Sequence, residues 1–187
     1  MPEKFDEIDL RILDSIQKDT RKSVTKIARE TGVSRPTVIS RLGKLVENKL
    51  VDFNIEMDIM ALGFKLALIT LEINDSADKQ KIESRIIQCP RVLQLLDFVD
   101  KPGCSLLVYA ENTETLLSAV ECFKSIVGDA NLSWQRVKQN RGEKIPIKIF
   151  STKCEITPCG KKCGMCSSYV QQECLGCPAT KEYKGPL

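Results

Sequence analysis

The spacing of hydrophobic residues at the start of the chain predicts three helices. A first helix has its apolar face at Ile8, Ile12, Leu13 and Ile16, which recur with the period of one helix face. A second, short helix is predicted over Val24–Glu30. It closes at Gly32, since glycine adopts the left-handed conformation that ends helices. Ser34 then caps a third helix with Pro36 in its first turn, where the missing N–H costs nothing. The buried stripe of this helix is predicted at Val38, Leu42 and Leu45.

The turn between the second and third helices is typical of a helix-turn-helix. A short helix, a Gly-Val-Ser turn and a capped helix with a basic outer face form a motif whose last helix enters the major groove of DNA. The candidate DNA contacts are Lys22, Ser34, Arg35, Thr37, Ser40, Arg41 and Lys44. Residues at the start of the third helix would reach base edges, and Lys22, Arg41 and Lys44 would hold phosphates.

Charge and residue alternation around the third helix support a winged helix-turn-helix over residues 1–57. Residues 1–19 hold three basic and six acidic side chains, whereas residues 20–49 hold eight basic and two acidic ones. This asymmetry is expected of a surface that faces phosphates, although charge alone leaves a merely solvated basic face as the alternative. The alternating stretch Lys49–Met57 predicts a wing strand, and its anchors are expected to be Leu50, Phe53 and Ile55.

Residues 64–140 alternate between predicted strands and helices. A strand at Lys65–Ile73 is followed by a helix over Asp78–Cys89, which Pro90 ends. The other predicted elements are the strands Val92–Val99 and Ser105–Ala110 around a Lys101-Pro102-Gly103 turn, the helix Thr113–Val127 and the strand Leu132–Lys138. The order βαββαβ predicts a ferredoxin-like sandwich, so the fold class is α+β. One sheet face would lack helices, and a homodimer or higher homo-oligomer would cover it.

Nine cysteines and no histidine make the chain unusual. Cys89, Cys104 and Cys122 lie in the predicted sandwich, where we expect them to pack as small buried hydrophobic residues rather than to act as redox centres.

A polar stretch over residues 141–153 is predicted to be a linker or an edge strand. Six cysteines follow it, at Cys154, Cys159, Cys163, Cys166, Cys174 and Cys177. Residues 154–187 have few large apolar side chains, so a metal ion is expected to supply their folding energy.

The spacing of these cysteines predicts a small metal-stapled module. Two Cys-x2-Cys pairs separated by seven residues can place four thiolates around one tetrahedral ion. The predicted ligands are Cys163, Cys166, Cys174 and Cys177, with Cys159 and Cys154 as substitutes. Zinc is the leading interpretation because closed four-cysteine sites are usually structural zinc sites. An iron–sulfur cluster is the alternative, since Cys177-Pro178 and the surplus cysteines also fit one, and unligated thiols on a disordered tail are the third.

The first two segments resemble the Lrp/AsnC, or feast/famine, transcriptional regulators. The resemblance rests on an IDxxIL opening at Ile8, a turn at Lys18–Arg21, an IAxxxGVS run from Ile27 and an RLxxLxxxxxV ending at Val51. It covers residues 5 to 140 and implies a ligand-sensing and oligomerisation domain, palindromic operators and a small-molecule effector bound between protomers. In that family this turn often has a glycine followed by an aromatic-aspartate pair. The Asp100–Ser105 turn has no such pair, so no effector residue is carried over. The cysteine-rich tail is not standard in the family.

Composition narrows the expected function. Hydrophobic residues make up 42% of the chain, enough for a packed core. No run approaches the roughly 18 apolar residues of a membrane span. Acidic residues stand where a signal peptide would be apolar, so a cytoplasmic protein is expected. The lack of histidine removes the commonest general base and argues against an enzyme.

We therefore expect a sequence-specific regulator that binds double-stranded DNA and whose tail senses a metal or redox state. A DNA-binding regulator whose tail is only a structural zinc clip for protein docking is the first alternative. A tetrapyrrole-modifying enzyme is the remote alternative, because some relatives of this fold are tetrapyrrole decarboxylases. The intact basic recognition helix argues against that enzyme.

Overall fold

The computed structural model describes residues 5–73, 76–128, 131–138 and 144–187. Contacts between residues divide the chain into two compact units, Met1–Asn54 and Ile55–Leu187. The second unit holds both the central sheet and the cysteine-rich residues 154–187. None of the described helices has the length and apolar composition needed to cross a bilayer.

The first unit consists of the three predicted helices: α1 at Glu7–Lys18, α2 at Val24–Thr31 and α3 at Arg35–Glu47. Each begins after a residue whose side chain accepts a main-chain N–H, namely Asp6, Ser23 and Ser34. These caps satisfy donors that a helix start otherwise leaves unpaired. The helices pack around one small core, whose buried members are Ile12, Ile16, Ile27, Ala28 and Val38.

The predicted wing strand is wrong. Residues 49–55 contain no strand, and β1 is limited to Glu56–Met57. It pairs antiparallel with β6, Ile145–Pro146, which is the edge strand expected in the polar stretch after the sandwich. The expected anchors Leu50, Phe53 and Ile55 are all exposed, Ile55 by 82%. Alternating apolar and polar residues do not by themselves form a strand, because the main-chain N–H and C=O groups of a strand also need a partner strand.

The second unit contains the predicted βαββαβ order. Its elements are β2 at Lys65–Glu72, α4 at Ser76–Ile86, β3 at Val92–Asp97, β4 at Gly103–Ala110, α5 at Thr113–Val127 and β5 at Asn131–Val137. The strands form one antiparallel sheet in the order β3-β4-β2-β5. Its helix-covered face forms the main core with Ile86, Val120 and Phe123. Helix α4 ends earlier than predicted, because the main-chain N–H of Cys89 bonds the Ile86 carbonyl at 2.9 Å in a turn before Pro90.

The cysteine-rich tail folds as turns against this sandwich. It contains a single 3-10 turn at Cys163–Met165 and the short helix α6 at Ser167–Val170. Its two ends meet where Cys154 and Thr180 form an isolated parallel bridge. Thr157, Ala179 and Thr180 are buried, so part of the tail is solvent-excluded although few of its side chains are large and apolar.

Candidate functional site

The helix-turn-helix geometry arises from signals inside a short stretch of chain. Gly32 ends α2 with φ = 73°, a left-handed conformation that glycine adopts without steric cost. The main-chain N–H of Val33 returns to the Ala28 carbonyl at 3.1 Å. Ser34 then starts α3, since its Oγ accepts the Thr37 N–H at 3.2 Å. The turn between the two helices is therefore fixed at both of its ends.

The outer side of α3 presents three of the predicted DNA contacts to solvent. Arg35, Ser40 and Lys44 are exposed, whereas Val38 is buried on the opposite side. Arg35 lies in the first turn of the helix, where a side chain reaches base edges in this motif. Ile39 was absent from the predicted contacts, yet it is 58% exposed. It offers an apolar group that could contact a thymine methyl.

Ser34 and Thr37 shape the start of α3 more than they extend its surface. Their hydroxyl oxygens are 2.7 Å apart and share a hydrogen bond. The Thr37 side chain is half-buried, whereas Ser34 is exposed. The Ser34 cap thus stabilises the first turn of α3, which contains Arg35.

Lys22 is placed differently from its predicted role as a phosphate contact. Its side chain is only 10% exposed. The Nζ atom donates to Glu30 Oε2 at 2.7 Å and to Ser15 Oγ at 3.2 Å. The hydrogen bond from Lys22 is the main cause that lowers the pKa of Glu30. In this structure Lys22 ties α2 to α1, and its role as a phosphate contact stays a prediction.

Arg41 also has partners within the first unit, and its role as a phosphate contact stays a prediction. Its Nη1 atom pairs with the Asp6 carboxylate and lies 3.3 Å from Asp9 Oδ1. Asp9 is buried and belongs to the capping box at the start of α1. The main-chain N–H of Asp9 and the Arg41 guanidinium both lower the pKa of Asp6. Arg41 therefore joins α3 to the start of α1 instead of presenting its full charge to solvent.

A second candidate site lies between α5 and the cysteine-rich tail. It is a cavity of about 410 Å³, which we call the thiol pocket. Its tail cysteines are Cys159, Cys163, Cys166, Cys174 and Cys177. All four predicted ligands are thus brought to one cavity, together with the substitute Cys159. The other substitute, Cys154, is exposed and is not among the residues that line the pocket.

Two sandwich cysteines line the same cavity. Cys104 is fully buried in the core, as expected of a small hydrophobic residue. Cys89 and Cys122 also contact that core, but both face the thiol pocket. The packing agrees with the expectation for all three cysteines, and the pocket is an additional neighbour of Cys89 and Cys122. The apolar pattern could not reveal this, since it shows which residues turn inward and not which segment packs against them.

Four of the pocket thiols, those of Cys89, Cys163, Cys174 and Cys177, have a raised pKa because they are partly or fully buried, whereas Cys166 is exposed. Burial raises the pKa of Cys89 to about 12 and that of Cys177 to about 11. Burial also raises the pKa of Cys163 and Cys174. These thiols are protonated near neutral pH, and a bound cation would favour their thiolate forms. Among the residues that the structure describes, no group of three or more cysteine or carboxylate side chains already converges as a complete metal site.

A buried ion pair holds the tail against the sandwich beside this pocket. Arg91 and Glu111 have side chains only 6% and 4% exposed, and their charged atoms are 2.8 Å apart. The Nη2 atom of Arg91 also donates to the Gly176 carbonyl of the tail at 2.5 Å. The hydroxyl of Tyr183, near the end of the tail, donates to Glu111 at 2.6 Å. The charges of Arg91 and Glu111 thus compensate each other, and each of the two side chains also forms a hydrogen bond with the tail.

Two further contacts extend this attachment along α5. The main-chain N–H of Leu175 donates to the hydroxyl of Thr115, a fully buried residue, at 3.2 Å. Lys161 donates to the hydroxyl of Ser125 near the other end of the helix. The sequence analysis did not select Thr115 or Ser125 as site residues, because hydroxyl side chains on a helix are usually solvated.

Comparisons with known proteins match both parts of the chain outside the tail. Residues 5–46 match the AsnC-type helix-turn-helix domain. The HTH-type transcriptional regulator LrpC of Bacillus subtilis is 29% identical over 90 residues, which are 48% of this chain and 62% of that protein. The regulator FL11 of Pyrococcus abyssi is 25% identical over 148 residues, which are 77% of this chain and 97% of that protein.

Solved structures show the same fold. The structure of AsnC from E. coli aligns with a TM-score of 0.65 at 16% identity and covers 76% of this chain and 97% of that one. The structure of LrpC from B. subtilis aligns with a TM-score of 0.60 at 24% identity and covers 76% and 100%. The curated relatives are transcriptional regulators, which argues against an enzyme. In its helix-turn-helix and in the sequence of its first two segments, the chain is thus similar to DNA-binding transcriptional regulators of the Lrp/AsnC type.

Proposed function

We propose that the chain is a DNA-binding transcriptional regulator of the Lrp/AsnC type, which recognises specific operator sequences by inserting α3 into the major groove. The observation that carries the proposal is the exposed outer side of α3, with Arg35 in its first turn and Lys44 in its last. An arginine at that end can form a bidentate contact with guanine, which identifies a base pair. A lysine at the other end suits a phosphate, which adds affinity without sequence information.

Operator binding is tested with duplexes selected from a random-sequence library by the full chain. Arg35→Ala is expected to weaken binding by about 1–3 kcal/mol and to relax the preference at one base pair. Lys44→Ala is expected to weaken binding to all sequences and to reduce the salt slope by about 1. Lys124→Ala is the control, since this exposed lysine of α5 is paired with Glu121. If both α3 variants bind like the wild type at every salt concentration, α3 is not the recognition helix.

The partner of this chain is proposed to be a second copy of itself. The sheet face opposite α4 and α5 carries Leu68 and Leu96, which are 42% and 56% exposed. Two such faces would cover each other, and a two-fold dimer matches a palindromic operator. Light scattering of the full chain tests this, with Leu68→Lys expected to shift the protein towards the monomer. An unchanged mass for that variant would assign the assembly to another surface.

We further propose that the thiol pocket binds a thiophilic metal, with zinc ahead of an iron–sulfur cluster. The supporting observation is that the four predicted ligands, Cys163, Cys166, Cys174 and Cys177, line one cavity. Zinc in closed thiolate sites is tetrahedral, so the thiols would have to turn towards a common point on binding. Such binding would add folding energy to a tail with a small core.

The metal is expected to regulate DNA binding through the attachment of the tail to the sandwich. Loss of the ion, or oxidation of the thiols, would release contacts such as those of Arg91 and Thr115 and would change the domain that sets operator spacing. A tail that is only a structural zinc clip would hold the same metal without this coupling. The two functions differ in whether the metal state alters operator affinity.

Purification without oxygen, followed by metal analysis, identifies the bound species. A colourless protein with about one zinc per chain would support the zinc site. A brown protein with iron and sulfide would support the cluster.

Regulation of DNA binding by the metal is tested with Cys163→Ser and Cys174→Ser. Unchanged operator affinity of both variants under all metal and oxidant conditions would reject sensing and would leave the structural clip.

A further inference from the structure

Arg41 is the arginine of α3 that the structure pairs with carboxylates, and it lies beside Lys44. The two residues are three positions apart and are neighbours on the helix surface. Both line a cavity of about 160 Å³ whose wall also contains Asp6 and Asp9 from the start of α1. A DNA phosphate that reaches Lys44, the phosphate contact proposed above, would therefore come close to the Arg41 guanidinium.

The ion pair between Arg41 and Asp6 is open to solvent. Their side chains are 35% and 46% exposed, so a phosphate oxygen can reach the guanidinium. Asp9, the second carboxylate near Arg41, is only 9% exposed and lies 3.3 Å from Nη1. The pair of Lys22 and Glu30 differs, since the Lys22 side chain is only 10% exposed. Asp6 is thus the accessible acceptor for which a phosphate can substitute.

Asp6 is held in place, whereas the Arg41 guanidinium ends a flexible side chain. One carboxylate oxygen of Asp6 accepts the main-chain N–H of Asp9 at 2.9 Å, as the N-cap of α1. The other carboxylate oxygen accepts from Nη1 of Arg41. Carboxylate and phosphate oxygens are alternative acceptors for the same guanidinium N–H groups. The arginine can therefore turn from Asp6 to a phosphate without loss of the cap that starts α1.

We propose that Asp6 competes with the DNA backbone for Arg41 and thereby sets the affinity and the salt dependence of DNA binding. While Arg41 stays on Asp6, the protein offers one phosphate contact fewer. A phosphate that takes the guanidinium breaks one exposed ion pair as it forms another, so the net gain is small. This inference rests on the proposed function, in which α3 faces DNA, and it adds a residue of α1 that acts only through Arg41.

DNA binding by the full chain carrying Asp6→Asn tests the competition. Asparagine keeps an N-cap acceptor but removes the charge that holds Arg41. We expect binding about two- to fivefold tighter than that of the wild type at low salt, the size of an exposed ion pair. The slope of log affinity against log salt is expected to steepen by about 0.9, the value for one more phosphate contact. The gain is expected to be equal on the selected operator and on an unrelated duplex, because a phosphate carries no sequence information.

Two further variants separate this effect from a general change of charge. Glu7→Gln is the matched control, since it removes one acidic charge from the next position, which is also exposed. It is expected to change the affinity by less than Asp6→Asn does and to leave the slope unchanged. Arg41→Gln removes the contested group, so the addition of Asp6→Asn to it is expected to change neither quantity. An equal gain from Glu7→Gln, or a gain from Asp6→Asn that persists without Arg41, would overturn the inference.

A direct measurement covers the case in which Arg41→Gln fails to fold. In the Asp6→Asn variant bound to a duplex, scalar coupling between a guanidinium nitrogen of Arg41 and a phosphorus of the DNA marks a hydrogen bond to the backbone. We expect this coupling, and its absence would reject the competition between Asp6 and phosphate. If neither the wild type nor Asp6→Asn binds any duplex, the proposed DNA-binding function itself fails, which is a distinct result.

Discussion

Substitution of Arg91 by methionine is expected to be strongly destabilising, because the arginine compensates a buried charge. Arg91→Met keeps much of the volume of the side chain but removes its charge and all of its donors. The carboxylate of Glu111, whose side chain is 4% exposed, would then lose its charged partner and keep the hydrogen bond from the hydroxyl of Tyr183. The Gly176 carbonyl of the tail would also lose its bond to the guanidinium.

The magnitude follows from the cost of leaving one charge of a buried pair uncompensated. Removal of one partner of such a pair typically costs about 3–5 kcal/mol. A domain of this kind has a total stability of about 5–15 kcal/mol, so the loss would be a large part of it. In the double variant Arg91→Met, Glu111→Leu no buried charge remains. Most of the loss is therefore expected to be recovered, since an apolar pair can replace a buried ion pair at little cost.

Urea unfolding of the full chain provides the assay. Trp134, the single tryptophan of the chain, lies in β5 and packs against the core of the second unit, so its fluorescence reports the unit that contains Arg91. The control is Lys124→Met, which breaks the exposed pair with Glu121 and is expected to change stability by less than about 1 kcal/mol. A loss below about 1 kcal/mol for Arg91→Met would refute the reasoning. So would a double variant no more stable than the single one.

Two further substitutions test local features. Ser34→Ala removes the N-cap of α3 and is expected to lower the stability of the first unit by about 1 kcal/mol. Thermal unfolding followed by circular dichroism measures it, and an unchanged midpoint would show that the cap bond is dispensable. Gly103→Ala places a Cβ 2.1 Å from a main-chain oxygen of β2 at φ = 142°. We expect it to cost more than about 1 kcal/mol. Gly43→Ala is its control, since no neighbouring atom lies within 4 Å there. In α3 it is expected to stabilise by about 0.5–1 kcal/mol, and equal effects of the two substitutions would contradict the steric argument.

Local signals in the sequence determined the helix-turn-helix. The caps, the glycine turn and the apolar stripe of α3 all act within a few residues, so the three helices and the exposure of Arg35 and Lys44 could be predicted. The order of the sandwich elements was also predictable, because alternation and helical periodicity mark each element by itself. The cysteine spacing predicted a separate metal-binding module, which stays a prediction, and the structure packs these residues in one unit with the sandwich.

Contacts between distant residues decided the rest. Arg41 pairs with Asp6, which lies 35 positions earlier, and no local pattern in the sequence indicates this ion pair. The wing failed because a strand forms only where another strand is available, and β1 finds β6 nearly ninety positions later. Cys89 resembles any small core residue until the tail packs beside it. The spacing of hydrophobic residues within a segment indicates whether that segment prefers a helix or a strand and which of its residues are buried. The pairing of charges, strands and thiols depends on which segments the folded chain brings together.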